Sequence, residues 1–200
     1  VETRLKMVDP ASGNKVPLPG ELPEPDKRVF DNSNVEKPQR RKTTIDIKFG
    51  DLTAKNFEQL RILNYLTLPV IYSENFYDML KSMTRYSKFA YVKDVLVGAI
   101  SCKEDIKADG TKECYIMTIT VLKPYRRYGI ASKLLEQAME DCMKAREVSR
   151  MVLHVQSNNE QALSFYKKNG FTVEEHLENY YTDLTPSDCY FLSKTLSPAE

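Results

Sequence analysis

The pattern of apolar and polar positions changes along the first half of the chain. Residues 45–49 alternate between apolar and polar side chains, which predicts a strand. Residues 54–66 and 74–82 instead carry apolar side chains at spacings of three and four. That spacing is typical of amphipathic helices, and Thr53 and Ser73 are their predicted caps. An apolar loop, residues 68–72, is left between the two helices.

The next apolar segments predict three strands. Residues 89–92 and 95–102 are strand-like and are separated by only two residues, so they predict an antiparallel hairpin. Residues 113–122 are rich in β-branched and aromatic side chains. Such composition favours a central strand.

The segment 126–131 contains a glycine and leads into a helix. Residues 151–156 then predict another strand, and a right-handed crossover makes this strand parallel to the one that precedes the helix. Ser157 and Glu160 predict a capping box for a further helix. Two more strands are expected, near residues 171–176 and 189–195. The predicted fold class is therefore mixed α/β, with antiparallel strands first and parallel strands in the middle.

Residues 1–42 differ in composition from the rest of the chain. They predict an extended or disordered arm with a basic end at residues 37–42, followed by a domain over 43–196 and a tail over 197–200. Two interpretations of the basic end stay open: a solvated tail, or a patch that docks on ribosomal RNA or a partner protein. Six of the ten prolines lie in this arm: Pro10, Pro17, Pro19, Pro23, Pro25 and Pro38.

Composition excludes several classes of protein. With 29 basic and 28 acidic residues the formal charge is only +1, so no global field attracts DNA or a membrane surface. No apolar run approaches the roughly 20 residues of a membrane helix, and no signal-peptide pattern is found. The cysteine spacing fits no metal site, so we expect buried free thiols in a cytoplasmic or nuclear protein: Cys102, Cys114, Cys142 and Cys189.

Residues 126–131 are the first candidate for chemistry. A glycine loop entering a helix gathers backbone N–H groups at the positive end of the helix dipole, which predicts an anion site. Gly129 and Ala131 allow close backbone approach, and Arg126 and Arg127 add positive charge. When it stands alone, a Gly-x-Ala pattern before a helix more often reflects simple close packing.

Together with its neighbours, this segment resembles the Gcn5-related N-acetyltransferase (GNAT) superfamily. Residues 126–131 match its Arg/Gln-x-x-Gly-x-Gly/Ala motif, and residues 159–171 are similar to its closing helix and turn. The resemblance implies a GNAT fold in which two parallel strands splay apart and acetyl-CoA, without a metal, fills the gap. It also implies that Asn159 and Tyr166 lie at the reactive end of the cofactor. The pyrophosphate loop implied by the resemblance comprises Arg126, Arg127, Tyr128, Gly129, Ile130 and Ala131.

A narrower resemblance covers residues 45–196. The segments 115–118, 124–127, 153–156 and 179–181 are similar to the catalytic subunits of NatE-type N-terminal acetyltransferases. This resemblance implies acetylation of the α-amino group of nascent chains that retain methionine before an apolar residue. It also implies association with a NatA-type complex and the ribosome.

Tyr115 and His154 are the predicted general-base pair, sharing a water. An α-amino group has a pKa of about 7.7–8.0 against about 10.4 for lysine, so a modest base suffices for an N-terminal substrate. Taken alone, a histidine or tyrosine within a strand is more often a packing residue. The family resemblance favours the catalytic role, and it gives Tyr166 the task of protonating the departing CoA thiolate.

The substrate site is expected to combine an apolar wall with tyrosines that bind the peptide backbone. Leu68 replaces the phenylalanine usual in the family, which leaves the preferred second residue open, and Ala131 replaces the final glycine of the cofactor loop. The predicted substrate-binding residues are Leu68, Pro69, Val70, Tyr72, Met117, Tyr180, Tyr181 and Leu184.

Two other functions stay open at this point. The cofactor motif does not identify the acceptor, so a lysine or small-amine acetyltransferase on the same fold is the first alternative. Acidic residues along the mouth would favour it, and Asp183 is nearby. The second is a CoA-binding scaffold subunit of a ribosome-associated complex, which would be expected to lose Tyr115 or His154.

Overall fold

The computed structural model describes residues 45–182 and 184–196 of the 200-residue chain. The predicted arm over 1–42, the domain start at 43 and the tail over 197–200 lie outside the described residues. The described elements are β1 (Ile47–Asp51), α1 (Phe57–Thr67), α2 (Glu74–Lys81), β2 (Lys88–Val92), β3 (Val95–Ile106), β4 (Lys112–Val121), α3 (Ile130–Ala145), β5 (Val148–Gln156), α4 (Glu160–Lys168), β6 (Thr172–Leu177) and β7 (Cys189–Thr195).

One seven-stranded sheet organises these elements, in the order β1-β2-β3-β4-β5-β7-β6. β4 and β5 form its parallel pair, and every other neighbouring pair is antiparallel. β7 lies between β5 and β6, so the last strand of the chain pairs with the parallel centre. The predicted mixed α/β fold, with antiparallel strands first and a parallel pair in the middle, is confirmed.

The parallel pair separates part of the way along its length. Its register begins with Lys112 opposite Val148 and ends with Tyr115 opposite Val152. β4 nevertheless continues to Val121, and β5 continues to Gln156. The two strands therefore diverge beyond Tyr115, as the family resemblance implies, and each keeps its outer antiparallel partner.

Helices cover both faces of the sheet and bury two apolar clusters. α3 and α4 pack on one face, whose buried cluster includes Ile116, Leu134, Leu135, Met151, Leu153 and Tyr166. α1 and α2 pack on the other face, whose buried cluster includes Phe57, Leu60, Phe76, Leu80, Phe89 and Ala99. All four cysteines are buried and free, as predicted.

Two helix starts differ from the prediction. Asn56 rather than Thr53 is the N-cap of α1, without a side-chain hydrogen bond to the helix, and the Thr53 N–H donates to Asn56 Oδ1 at 2.7 Å. At α4, Asn159 Oδ1 accepts the Ala162 N–H at 3.0 Å, so the predicted capping box is wrong. The predicted Ser73 cap of α2 is confirmed by its hydrogen bond from the Phe76 N–H.

The start of α3 lies very close to β3. A Cβ atom at Gly98 would approach Thr120 O to 2.9 Å and Ile130 Cγ2 to 3.3 Å. Only glycine therefore allows β3, β4 and the first turn of α3 to pack at this distance. Because Ile130 begins α3, this contact fixes the position of the glycine loop that precedes the helix.

Gly98→Ala is expected to destabilise the protein by about 1–3 kcal/mol, because a backbone oxygen cannot move aside as a side chain can. Urea unfolding measures the effect. Gly50→Ala is the matched control in β1: its Cβ would meet Tyr91 Cε2 at 3.3 Å, the far end of a side chain that can rotate. An equal loss of stability in both variants would contradict the close-packing explanation.

Candidate active site

Tyr115 and His154 meet where β4 and β5 separate. Tyr115 is the last β4 residue in register with β5, and His154 lies two residues beyond its partner Val152. Side chains two residues apart on a strand share a face, so both groups project to the same side of the sheet. The Tyr115 hydroxyl and His154 Nδ1 are 2.8 Å apart and form a hydrogen bond. The predicted pair thus contacts directly at the head of the gap.

Burial keeps both members of this pair uncharged at neutral pH. Burial, with smaller contributions from Lys103 and Lys107, lowers the pKa of His154 to about 4. Burial, reinforced by Tyr180 and Tyr181, raises the pKa of Tyr115 well above its usual value. A neutral imidazole beside a neutral phenol forms a hydrogen-bonded relay, and neither group is a strong base.

Two aromatic side chains besides Tyr115 pack against the imidazole. Tyr180 stacks on His154, with ring centroids 4.5 Å apart and planes 14° apart, while Phe191 of β7 lies 5.0 Å away. Tyr181 contacts the Tyr180 ring edge to face at 5.0 Å. The described loop residues that carry both tyrosines, 178–182 and 184–188, are called the tyrosine loop. It covers the pair from the β6–β7 side.

The predicted apolar wall lies on the α1 and α2 face of the sheet. Leu68 ends α1, and its N–H donates to Asn64 O at 2.9 Å. Tyr72 stacks on Phe76 at 4.1 Å, and it packs with Met117 against the same buried cluster. Leu68, Val70 and Leu184 are half-buried, whereas Pro69 is exposed. The apolar loop 68–72, Met117 and the Tyr115–His154 pair therefore share one face of the sheet.

The predicted cofactor loop connects β4 to α3 through two residues with positive φ. Arg127 has a φ of 71° and Gly129 a φ of 81°. Arg126 Nε donates to Val121 O at 3.0 Å, which ties the loop to the end of β4. Tyr128 is 44% exposed, and Ile130 is buried beneath the loop. This arrangement directs the N-terminus of α3 towards the open end of the strand gap.

The space around this loop fits a phosphate group. A Cβ atom at Gly129 would meet no atom within 4 Å, so the backbone is open to a ligand. The first turn of α3 contains no acidic residue, and its first N–H groups have no partner within the helix. Position 129 needs glycine because its φ is positive. The close contact with Leu134 of α3 is made by Gly98, whose Cβ would lie 3.3 Å from Leu134 Cδ1.

Asn159 and Tyr166 are both fixed by α4. The Asn159 amide oxygen caps the helix, which leaves its amide nitrogen as the group that could contact a cofactor. Tyr166 is 4% exposed and packs edge to face against Phe171 at 5.3 Å. Burial raises the pKa of Tyr166, so its hydroxyl keeps its proton and can donate a hydrogen bond.

The sequence prediction missed Lys103 and Phe191. Lys103 Nζ lies 5.1 Å from the centre of the Tyr115 ring and forms an ion pair with Asp105 at 2.9 Å. Phe191 pairs with His154 in the β5–β7 register. A lysine near the end of an antiparallel strand and a phenylalanine within one carry no motif, so only the three-dimensional register reveals their place.

Residues 45–182 and 184–196 offer neither a cluster of metal ligands nor a membrane-spanning helix. No group of three or more His, Cys, Asp or Glu side chains in that part of the chain could hold a metal ion. No helix there is long and apolar enough to cross a membrane.

Comparison with known proteins agrees with this fold. The model of the acetyltransferase (GNAT) family matches residues 55–171, more than half of the chain. This protein therefore belongs to the acetyltransferase (GNAT) family, and the predicted resemblance is confirmed.

Three of the similar proteins, each from a different organism, show how close the likeness is. N-alpha-acetyltransferase 50 of Danio rerio is 40% identical over 150 residues, covering 75% of this chain and 89% of that protein. A probable N-acetyltransferase, san, of Drosophila melanogaster is 39% identical over 154 residues, with coverages of 77% and 83%. The solved structure of Arabidopsis thaliana Naa50 with the bisubstrate analogue CoA-Ac-MVNAL has a TM-score of 0.67 and 41% identity, covering 74% of this chain and 97% of that one.

The low pKa of His154 predicts a pH effect on stability. The unfolded chain binds a proton to this imidazole near pH 6.5, whereas the folded protein does so only near pH 4. The His154 contribution is therefore complete above pH 6.5 and is lost as the pH falls towards 4. We expect the free energy of unfolding to fall by about 2 kcal/mol over this range, less than the full pKa shift implies because the ring is partly exposed.

Urea unfolding of the wild type and of His154→Gln at several pH values between 7 and 4 measures this effect. The variant lacks the titrating group, so its stability should fall by correspondingly less. Parallel pH dependence in the two proteins would contradict the assignment.

Proposed function

We propose that this protein transfers the acetyl group of acetyl-CoA to the free α-amino group at the N-terminus of other proteins. The observation that carries the proposal is the Tyr115–His154 hydrogen bond at the point where β4 and β5 separate. Both groups are neutral there, which suits an acceptor that arrives as a neutral amine. N-alpha-acetyltransferase 50 of Danio rerio supports the same activity by its name and its 40% identity.

The strand gap and the loop before α3 would hold acetyl-CoA. The N–H groups at the start of α3, with Arg126 and Arg127 nearby, would bind the pyrophosphate, and Gly129 leaves room for it. Beyond Tyr115, β4 and β5 no longer bond to each other, so their facing backbone groups are available to the pantetheine arm. Acetyl-CoA supplies the thioester from which the acetyl group is transferred.

The Tyr115–His154 pair would remove the proton that the amine loses during transfer. The Tyr115 hydroxyl donates to Nδ1 or accepts from it, according to the imidazole tautomer, so the pair can pass a proton in either direction through a water. The low pKa of His154 makes it a modest base. An α-amine needs no more, because its pKa of about 7.7–8.0 leaves a useful neutral fraction at pH 7.

Tyr166 would act on the leaving group at the other side of the reaction. Its buried hydroxyl keeps its proton because burial raises its pKa, and it sits in α4 beyond the Asn159 cap. A raised pKa makes the phenol a weaker acid, so Tyr166 would stabilise the departing CoA thiolate by donating a hydrogen bond. The thiolate would then take its proton from solvent.

The substrate class follows from the wall beside the pair. Leu68, Val70, Tyr72 and Met117 offer apolar surface for a methionine side chain, and Tyr180 and Tyr181 offer hydroxyl groups to the peptide backbone. The solved Arabidopsis neighbour contains a peptide that begins Met-Val. We infer that this protein also takes retained methionine followed by an apolar residue, with Leu68 shaping the preference at the second position.

Two predictions concern the protein's partners and its location in the cell. A NatA-type complex and the ribosome stay the predicted partners, and the basic stretch 37–42 stays the predicted contact. The predicted cytoplasmic location, with a possible nuclear pool, is likewise a proposal. Each concerns residues or partners outside the described domain.

Acetyl transfer to two peptides tests the function directly. One peptide has a free Met-Leu N-terminus, and the other has a blocked N-terminus and an internal lysine. We expect efficient transfer to the first alone, and a loss of about 10²-fold in kcat in both Tyr115→Phe and His154→Gln, because each removes one end of the proton relay.

Acetyl-CoA binding, measured by calorimetry, is the control, since neither substitution touches the loop before α3. A preference for the lysine peptide would contradict the proposed substrate while leaving the fold and cofactor unchanged. Absence of transfer to both peptides would favour a scaffold role.

A further inference from the structure

Asp188, immediately before β7, joins three separate parts of the chain. Its Oδ1 accepts the Asn179 N–H at 2.9 Å and the Ser187 hydroxyl at 3.3 Å. Its main-chain oxygen accepts the Ser157 N–H at 2.9 Å. One residue therefore ties the start of the tyrosine loop, the end of that loop and the segment after β5 to one another.

Asp188 holds a left-handed backbone at Asn179. Asn179 has a φ of 53°, a region that asparagine adopts more often than most other non-glycine residues, and the Asp188 carboxylate accepts its N–H there. The Ser187 hydroxyl also reaches Asn179 Oδ1 at 3.3 Å, so the carboxylate, the serine and the asparagine form one network. This network sets the direction in which the chain enters Tyr180, the next residue.

Other contacts hold the rest of the loop. The Tyr181 N–H donates to Ser187 O at 2.8 Å within the loop, and Gln156 Nε2 at the end of β5 donates to Pro186 O at 2.8 Å. The base of the loop is held by the β6–β7 pairing, which places Leu177 opposite Cys189. Asp188 adds to these contacts the side-chain acceptor for the Asn179 N–H.

Tyr180 is the residue through which this anchoring reaches the active site. Its ring stacks on the His154 imidazole at 4.5 Å, and this imidazole bonds to Tyr115 through Nδ1. A rotation of the loop entrance would remove the stacked ring and let water reach the imidazole. The orientation of the proton relay therefore depends on a carboxylate that lies outside it.

We propose that Asp188 is a positioning residue of the acetyl-transfer site, holding the tyrosine loop so that Tyr180 stays stacked on His154. The inference rests on the proposed function for its effect on catalysis, and on geometry alone for the stacking. Asp188 acts by orienting Tyr180, and it makes no contact with Tyr115 or His154 in the described structure.

The histidine signals in an NMR spectrum report the stacking directly. The chain has two histidines, His154 and His176, so the imidazole Hε1 region of the full-length protein holds two signals, and His176→Gln assigns them. A stacked tyrosine ring shields the His154 Hε1 proton and moves its signal upfield. We expect Asp188→Ala to move that signal downfield to the position found in Tyr180→Ala.

Catalysis should change with the signal. In Asp188→Ala, kcat/KM for the Met-Leu peptide is expected to fall about tenfold, because a misplaced relay group costs rate steeply, while the KM for acetyl-CoA stays the same. Asp188→Asn keeps an oxygen that accepts the Asn179 N–H, so both the signal and kcat/KM should remain near the wild-type values. His176→Gln controls for the His176 ring, which lies 3.9 Å from the Asp188 carboxylate.

Asp188→Glu keeps the charge but moves the carboxylate along the side chain, and it serves if the alanine variant does not fold. It should then resemble Tyr180→Ala in its His154 signal. The proposal is overturned if the folded variants keep the wild-type signal, or if the signal moves and kcat/KM does not. The signal reports stacking whether or not the wild type acetylates a peptide, so absence of activity contradicts the proposed function and leaves the positioning role to be decided by NMR.

Discussion

The end of hydrogen bonding between β4 and β5 after Tyr115 is the constraint on which the site depends. Each strand keeps an outer antiparallel partner, β3 for β4 and β7 for β5, so the sheet survives the separation. The gap exposes backbone groups that need a partner, and a cofactor with amide groups can supply one. At the point where the two strands diverge, the Tyr115 hydroxyl and His154 Nδ1 are close enough to form a hydrogen bond.

Burial at this point decides what chemistry the pair can do. Desolvation lowers the pKa of His154 and raises that of Tyr115, so the relay is neutral at the pH of the cell. His154 would be a stronger base only beside a negatively charged partner that raised its pKa. Lys103 and Lys107 are positively charged, and they lower that pKa. Most of the proposed selectivity for α-amines therefore comes from the amine itself, whose pKa is about 2.5 units below that of lysine.

Much of the domain could be predicted because strand and helix periods are local properties. The strand–loop–helix–strand unit around residues 126–131 followed from local patterns, whereas the Tyr115–His154 pair was predicted only through the family resemblance. Helix starts at Asn56 and Asn159 were missed, since several polar residues compete locally for the same cap. The stacking of Tyr180 on His154 and the anchoring by Asp188 depend on how a loop folds back over β5, which no local pattern encodes.

The pH dependence of kcat/KM for the Met-Leu peptide tests the central claim most directly. If the relay is neutral and weakly basic, activity should rise with pH through one ionisation, that of the free α-amine, at a pKa of about 7.7–8.0. That ionisation should move when the peptide is replaced by one whose amine has a different pKa, and it should persist in His154→Gln at lower activity. A second ionisation near pH 6.5 that His154→Gln removes would contradict the account, because it would show that His154 works as an ordinary, exposed general base.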